Sequence, residues 1–349
     1  MKTLYLDLHV LQTVPPSCVN RDDTGSPKTA IYGGVSRARV SSQAWKHAMR
    51  NMFWDIFSRE QMGVRTKNIV NMVEEELNKL GYEGKSEKVA AEALKNGGIK
   101  LSKDDKTEAL FFMSHVQAKK LAELIVSGEK DKKAYKAVLS QNPSIDIALF
   151  GRMVASDPGL NFDAAAQVAH SISTHEVRNE YDYFTAVDDL SEEDNAGAGH
   201  LGTVEFNSAT LYRYATINVH ELKANLKSDA TQAVTGFVKA FLLSMPTGKQ
   251  NTFANSTVPD FAYITLRTDQ PVNLAGAFER PIYTRKDGYV DKSIKALKDF
   301  ALKTYDAFVS APREAYCIGQ TEDELGKEVS LNTLLETLSK SIDEYCEEE

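Results

Sequence analysis

The sequence predicts an α+β fold carrying one long helical insertion, on three observations. Leu4, Leu6, Leu8 and Val10 alternate strictly with Tyr5, Asp7 and His9, the period of a strand with one buried face. Trp45, Ala48, Met49, Met52, Phe53 and Ile56 recur at three- and four-residue spacing, the period of a helix packed along one side. Residues 60–145 repeat the helical period, whereas strand-like runs rich in Thr, Tyr and Phe return at 180–187 and 204–219.

Taken in order, the opening strand leaves His9 on its polar side, where a surface or edge histidine is expected because no partner stands at ligand spacing. Residues 13–34, with Pro15-Pro16, the stretch 20–25 and Pro27, read as a long loop. This loop carries Arg21 and Lys28 up to the run Gly33 to Arg50. Arg37 and Arg39 stand two apart, so an extended segment would send both guanidinium groups to one face, an arrangement suited to a row of phosphates. Ser41 and Ser42 occupy the expected helix N-cap, and Lys46 and Arg50 fall four apart on the helix flank, near free N–H groups that favour an anion. The run reads as a phosphate-backbone cradle. The same pattern suits a capped helix with a solvated basic flank, and the residues alone leave both open. No Gly-Lys-Ser/Thr follows the glycine pair, which excludes a nucleotide P-loop.

Within 60–145, Ile69, Val70, Val73, Leu77 and Leu80 form one apolar stripe, 89–94 a second, and Val116, Leu121, Leu124 and Ile125 a third, with Gly97-Gly98 as a helix stop. Lys130, Lys132, Lys133 and Lys136 crowd a helix start that would be either a phosphate patch or a solvated face. Residues 145–150 read as a short strand and 162–172 as an Ala-rich helix. His170 and His175, five apart, do not share a helical face, so no metal pair is expected. The runs 180–187 and 204–219 flank an acidic, Gly/Ala-rich tip and predict a protruding hairpin. A helix over 230–245 buries Val234, Phe237, Val238, Phe241, Leu242 and Met245, and 260–267 is another alternating strand. Between them Lys249 lacks a Walker context but could meet a phosphate. Amphipathic helices over 289–311 and 331–345 complete the chain. Without the insertions the order is strand, helix, strands, helix, strand, which fits a ferredoxin-like or RNA-recognition-type sheet.

The 349 residues are 42% hydrophobic and 26% charged, the balance of a globular protein with room for two domains or one with large insertions. A net charge of −8 would oppose polyanion binding if it were evenly spread. It is not: residues 1–50 carry seven basic side chains against three acids, while acids collect at 74–76, at 188–194 and in the tail 347–349. No apolar run approaches the ~20 residues of a membrane span, and the chain starts on a strand pattern rather than a signal peptide, so a cytoplasmic protein without membrane contact is expected. Cys18, Cys317 and Cys346 are scattered and imply neither a disulfide framework nor a zinc site, and no metal or cofactor is expected.

Several motifs carry a resemblance. Ser17-Cys18-Val19-Asn20-Arg21-Asp22-Asp23, Ala30-Ile31-Tyr32-Gly33-Gly34, Arg39-Val40-Ser41-Ser42-Gln43, Asp146-Ile147-Ala148-Leu149, Gly151-Arg152-Met153, Phe184-Thr185-Ala186-Val187-Asp188-Asp189-Leu190 and His200-Leu201-Gly202-Thr203 closely resemble the backbone subunit of the type I-E CRISPR Cascade complex, the CasC or Cas seven family. The resemblance runs nearly end to end and is weakest in the helical insertion and the C-terminal helices. It implies a non-enzymatic, hand-shaped protein that stacks head to tail along a CRISPR guide RNA (crRNA) with other Cascade subunits and presents the guide to target DNA in antiviral defence. By that resemblance, 1–59, 146–180 and 220–349 would form a palm with C-terminal helices, 60–145 the fingers and 181–219 a thumb hairpin. Arg21, Lys28, Arg37, Arg39, Ser41, Ser42, Gln43, Lys46 and Arg50 would grip guide phosphates, and Lys249 is added to them. Met153, Phe184 and Leu201 would wedge against bases, and Lys132, Lys133 and Lys136 would touch target DNA. Val35 departs from the pattern by standing where a basic residue is expected. The alternative is a metal-independent CRISPR RNA-processing ribonuclease with His47 as base, and a third reading is a single-strand binder that does not assemble.

Overall fold

The computed structural model describes residues 3–186, 200–319 and 324–347. The chain opens with β1 (Tyr5–Ser17), the hairpin β2 (Thr29–Tyr32) and β3 (Val35–Val40), and helix α1 (Ser42–Ile56). There follow β4 (Gly63–Thr66), α2 (Ile69–Lys79), α3 (Ser86–Asn96), β5 (Phe111–Ser114), α4 (His115–Val126), α5 (Lys132–Leu139) and α6 (Ile145–Phe150). Short strands β6 (Ala166–Val168) and β7 (Ser171–Ser173) precede the long hairpin of β8 (Glu180–Ala186) and β9 (His200–Asn218). The rest comprises α7 (Val219–Leu226), α8 (Ala230–Leu243), α9 (Gln250–Phe253), β10 (Phe261–Arg267), α10 (Val290–Ala307), β11 (Glu314–Ile318), β12 (Lys327–Glu328) and α11 (Leu331–Glu347).

The main sheet runs β12-β11-β10-β1-β9-β7-β3-β2, with β6 and β8 also paired to β9. Its central order β10-β1-β9-β7, with α1 and α8 packed together over one face, is that of a β-α-β-β-α-β unit, and the fold class is α+β. Helices α2 to α5 bury their stripes against one another in a separate core that includes Ile69, Val73, Leu94, Leu121 and Leu139. Among the described residues no helix is long and apolar enough to cross a membrane. The acidic hairpin tip falls largely on residues 187–199, outside the described residues, as do Glu348 and Glu349 of the tail.

β1 is covered on both faces. Leu4, Leu6, Leu8 and Val10 join the core beneath α1, α8 and α11, and the opposite face meets Tyr212, Tyr214 and Tyr263 under α10. His9 is therefore not a surface residue: it is 1% exposed, its Nδ1 lies 2.9 Å from the Tyr212 hydroxyl, and its ring stacks on Tyr214 and Tyr263. Alternation marks the apolar face but cannot reveal a second layer of helix that satisfies the polar one.

Four other sequence expectations differ. Residues 145–150 form a helix, because Ser144 starts it and Gly151, at φ 79°, ends it; a short apolar run buried all round has no period to separate strand from helix. Residues 162–172 hold β6 and the start of β7 rather than a helix, since pairing to the edge of β9 outweighs alanine's helical preference. The expected loop at 13–34 begins later: β1 runs to Ser17, and its register slips between Val14 and Ser17, where Pro15-Pro16 cannot donate to the ladder. The helical stretch 60–145 also contains the antiparallel pair β4–β5.

Candidate nucleic-acid interface

The working surface is built on β3 and α1. The hairpin turn Gly33-Gly34 has φ values of 59° and 80° at its two central residues, which suits a primed turn and explains the glycines without a phosphate. A Cβ at Gly33 would lie 1.7 Å from the Glu279 carbonyl oxygen, so the turn docks on the segment after the Leu274–Phe278 turn.

That docking decides the fate of Arg37. Strand alternation does put Arg37 and Arg39 on one side, but Arg37 is wholly buried and donates to the carbonyls of Tyr32 (3.1 Å), Ser173 (2.9 Å) and Phe278 (2.8 Å). Its expected role on phosphates is corrected: it holds the hairpin to the body, with three backbone acceptors in place of an anion. Arg39 is partly exposed, donating to the Thr29 carbonyl at 3.1 Å and lying 3.2 Å from Nδ1 of His170. Val35 starts β3 opposite Tyr32.

Ser41 is the N-cap of α1: its hydroxyl accepts from the Ala44 N–H at 3.3 Å, and its own N–H donates to Asn20 Oδ1 at 2.9 Å. It too is structural, being 5% exposed. Trp45 anchors the helix, donating from its indole N–H to Ser171 Oγ at 3.0 Å and lying under the Arg213 guanidinium at 3.8 Å. With this face fixed, Ser42 and Gln43 in the first turn, then Lys46 and His47, turn outward, and no acid occupies the first turn. The Lys46 ammonium sits 5.4 Å over the Phe150 ring, and partial burial depresses its pKa.

Arg50 is partly committed elsewhere. Its guanidinium pairs with buried Asp146 at 3.1 Å and lies 4.6 Å over Phe112. Gln43, Lys46, His47 and Arg50 nevertheless line one cleft of about 380 Å³ with Arg65, Phe112, Phe150, Arg152 and Met153, and none of its lining residues is acidic. Arg65 was not singled out from the sequence, because its four-residue strand has no period of its own.

Arg21 and Lys28 flank a tight loop in which Asp22 Oδ1 accepts from the N–H groups of Thr24 and Ser26. Lys249 comes close to Arg21: both act electrostatically on the buried Cys18 thiol, whose pKa burial raises. Lys132 and Lys133 are exposed at the start of α5, capped by Asp131, whereas Lys136 is paired with Asp157 at 2.6 Å. Met153 is 85% exposed, Leu201 58% and Phe184 40%. In the hairpin register Phe184 faces Gly202 and Leu201 faces Thr185, so the two side chains leave opposite faces. No residue of the hairpin lines the cleft that holds Met153.

Comparison with known proteins follows this geometry. A chain from a solved structure described as "CRISPR RNA-guided surveillance complex, pre-nicking" superposes with a TM-score of 0.81 at 31% identity, covering 97% of this chain and 100% of that one. A chain from a second, described as "CRISPR RNA-guided surveillance complex", gives 0.65 at 29% identity, covering 97% and 99%. No curated protein matches. Residues 6–347 match the family described as CT1975-like protein, and the chain belongs to that family.

Proposed function

We propose that this protein is the non-catalytic backbone subunit of a CRISPR surveillance complex of type I-E, acting in antiviral defence in the cytoplasm. It binds guide RNA, stacks head to tail with copies of itself beside other Cascade subunits, and presents the guide for pairing with target DNA. The observation that carries this is the cleft beside α1, where Lys46, Arg50 and Arg65 meet exposed Met153 with no acid among the lining residues. Cations without base-reading partners give affinity without sequence preference, which a subunit serving any guide requires. The family and the two surveillance-complex likenesses support the same reading.

In this reading Arg21, Lys28, Arg39, Ser42, Gln43, Lys46, Arg65 and Lys249 meet phosphates, while Arg37, Ser41 and Arg50 hold the surface in shape. Met153 wedges between bases, with Phe184 and Leu201 of the thumb hairpin acting on its two faces, and Lys132 and Lys133 on the fingers meet target DNA. An apolar wedge costs a few kcal/mol of unstacking per step, offset by contacts along the assembly. The test is incubation of the protein with labelled guide-length and repeat RNAs, recording particle mass and cleavage. Particles growing in whole subunits on uncut RNA are expected. Site-specific cutting that disappears in His47→Ala would instead make it a ribonuclease.

A further inference from the structure

Leu110 and Met153 are the two residues common to two neighbouring clefts, the cationic one of about 380 Å³ and a second of about 170 Å³. They form an apolar ridge between them, 53% and 85% exposed. The smaller cleft is walled by Ile99, Ala109, Phe111 and Val154, and its one lysine and one glutamate, Lys100 and Glu108, oppose each other in sign. One side of the ridge is therefore cationic and free of acids, and the other is mainly apolar with no net charge.

The ridge is held from below by a single guanidinium. Arg152, 5% exposed, donates to the Leu160 carbonyl from Nε (2.9 Å) and Nη2 (2.7 Å), and to the Phe112 carbonyl from Nη1 (3.0 Å). Its plane lies 4.7 Å from the Phe111 ring. Met153 follows Arg152 directly, and Leu110 directly precedes Phe111, so both exposed side chains rise from one anchored platform. Two large apolar side chains fixed in water beside a row of cations suit a ligand that is anionic at one end and flat and apolar at the other. A nucleotide in a strand is such a ligand, and stacking on its base is tolerant of sequence.

We infer that the smaller cleft receives one nucleobase, turned out of its stack over the Leu110–Met153 ridge, from a strand whose phosphates lie in the cationic cleft. This rests on the proposed nucleic-acid binding and adds a site and a residue, Leu110, that the reading does not otherwise use. Leu110 is a binding residue on the fingers side, opposite in chain position to the hairpin residues.

The experiment uses the full chain with RNAs carrying 2-aminopurine at successive positions, whose fluorescence rises when the base leaves its stack. A second arm places the probe in a complementary DNA strand. Leu110→Ser is compared with Leu243→Ser, an exposed leucine (37%) on α8 away from both clefts. Wild type should show a rise of about twofold or more at recurring positions. Leu110→Ser should lose more than about half of that rise while its RNA affinity stays within about twofold, because the phosphate contacts remain. A rise in the RNA arm assigns the base to the guide, and one confined to the DNA arm assigns it to the paired strand; either supports the site. Binding without any rise, a rise unchanged by Leu110→Ser, or an equal loss in Leu243→Ser overturns the nucleobase site alone. Wild type that binds neither strand overturns the functional reading and the site together.

Discussion

Arg50 and Asp146 are joined at 3.1 Å beneath α1, and the same buried carboxylate accepts from the Gly63 N–H at 2.9 Å and the Ser144 hydroxyl at 2.6 Å. One acid thus gathers both ends of the 63–144 stretch against the helix that carries Lys46. Burial raises the pKa of Asp146, and the Arg50 charge works against that rise. Arg50→Ala would leave the carboxylate without its cation. The Arg50 side chain is 24% exposed, so the loss should fall below that of a fully buried pair, at about 2–3 kcal/mol in urea unfolding. The salt dependence of RNA binding should change by less than one phosphate contact, and a full loss of one contact would return Arg50 to the phosphate-binding set.

Arg37 and Lys46 should separate cleanly. Arg37→Ala strips three buried carbonyls of their donor, at about 1–3 kcal/mol for each group left unpaired, and should lower stability by about 3 kcal/mol or more. Lys46→Ala should leave stability within about 1 kcal/mol and flatten the plot of log affinity against log salt by about 0.7. Denaturant curves and salt titrations on the two variants check this, and a swap of the two effects would reverse the assignment.

Helix α1 was legible because its stripe, cap and basic flank are all local, and the hairpin and the long C-terminal helices were legible from their periods. Arg37 was not, since its partners at Ser173 and Phe278 lie 136 and 241 residues away and spacing cannot tell a phosphate from a carbonyl. His9 was misread for the same reason: Tyr212, Tyr214 and Tyr263 arrive from two distant strands. Arg65 and Leu110 enter the site only because β4 pairs with β5, which neither short segment announces.

The covered face of β1 sets a pH response. Burial pushes the Asp7 carboxyl up from 3.8 to about 6, although it accepts from the Tyr214 hydroxyl and the Val272 N–H, and burial pushes the His9 imidazole down from 6.5 to about 3. From about pH 6 down to about 4 the folded chain holds an Asp7 proton that the unfolded chain lacks, which adds stability as pH falls. From about pH 6.5 down to about 3 the unfolded chain holds a His9 proton that the folded chain lacks, which removes stability as pH falls. The two oppose each other between about pH 4 and 6. Asp7→Asn removes the first alone, so its stability should fall by up to about 1.4 kcal/mol per pH unit more steeply than wild type on going from pH 6 to 4.5. Denaturant unfolding across that range measures it, and parallel curves would show that neither group titrates as its burial requires.

The most direct test of the account is the salt-dependent binding of a guide-length single-stranded RNA to wild type and to Lys46→Ala/Arg65→Ala, with particle mass followed in the same samples. Wild type should assemble in whole subunits along the RNA, and the variant should bind more weakly with a slope shallower by about 1.4, two phosphates at about 0.7 each. Equal affinity and slope for the two proteins, or no RNA binding by wild type, would contradict the assignment of the cleft beside α1 as the nucleic-acid surface.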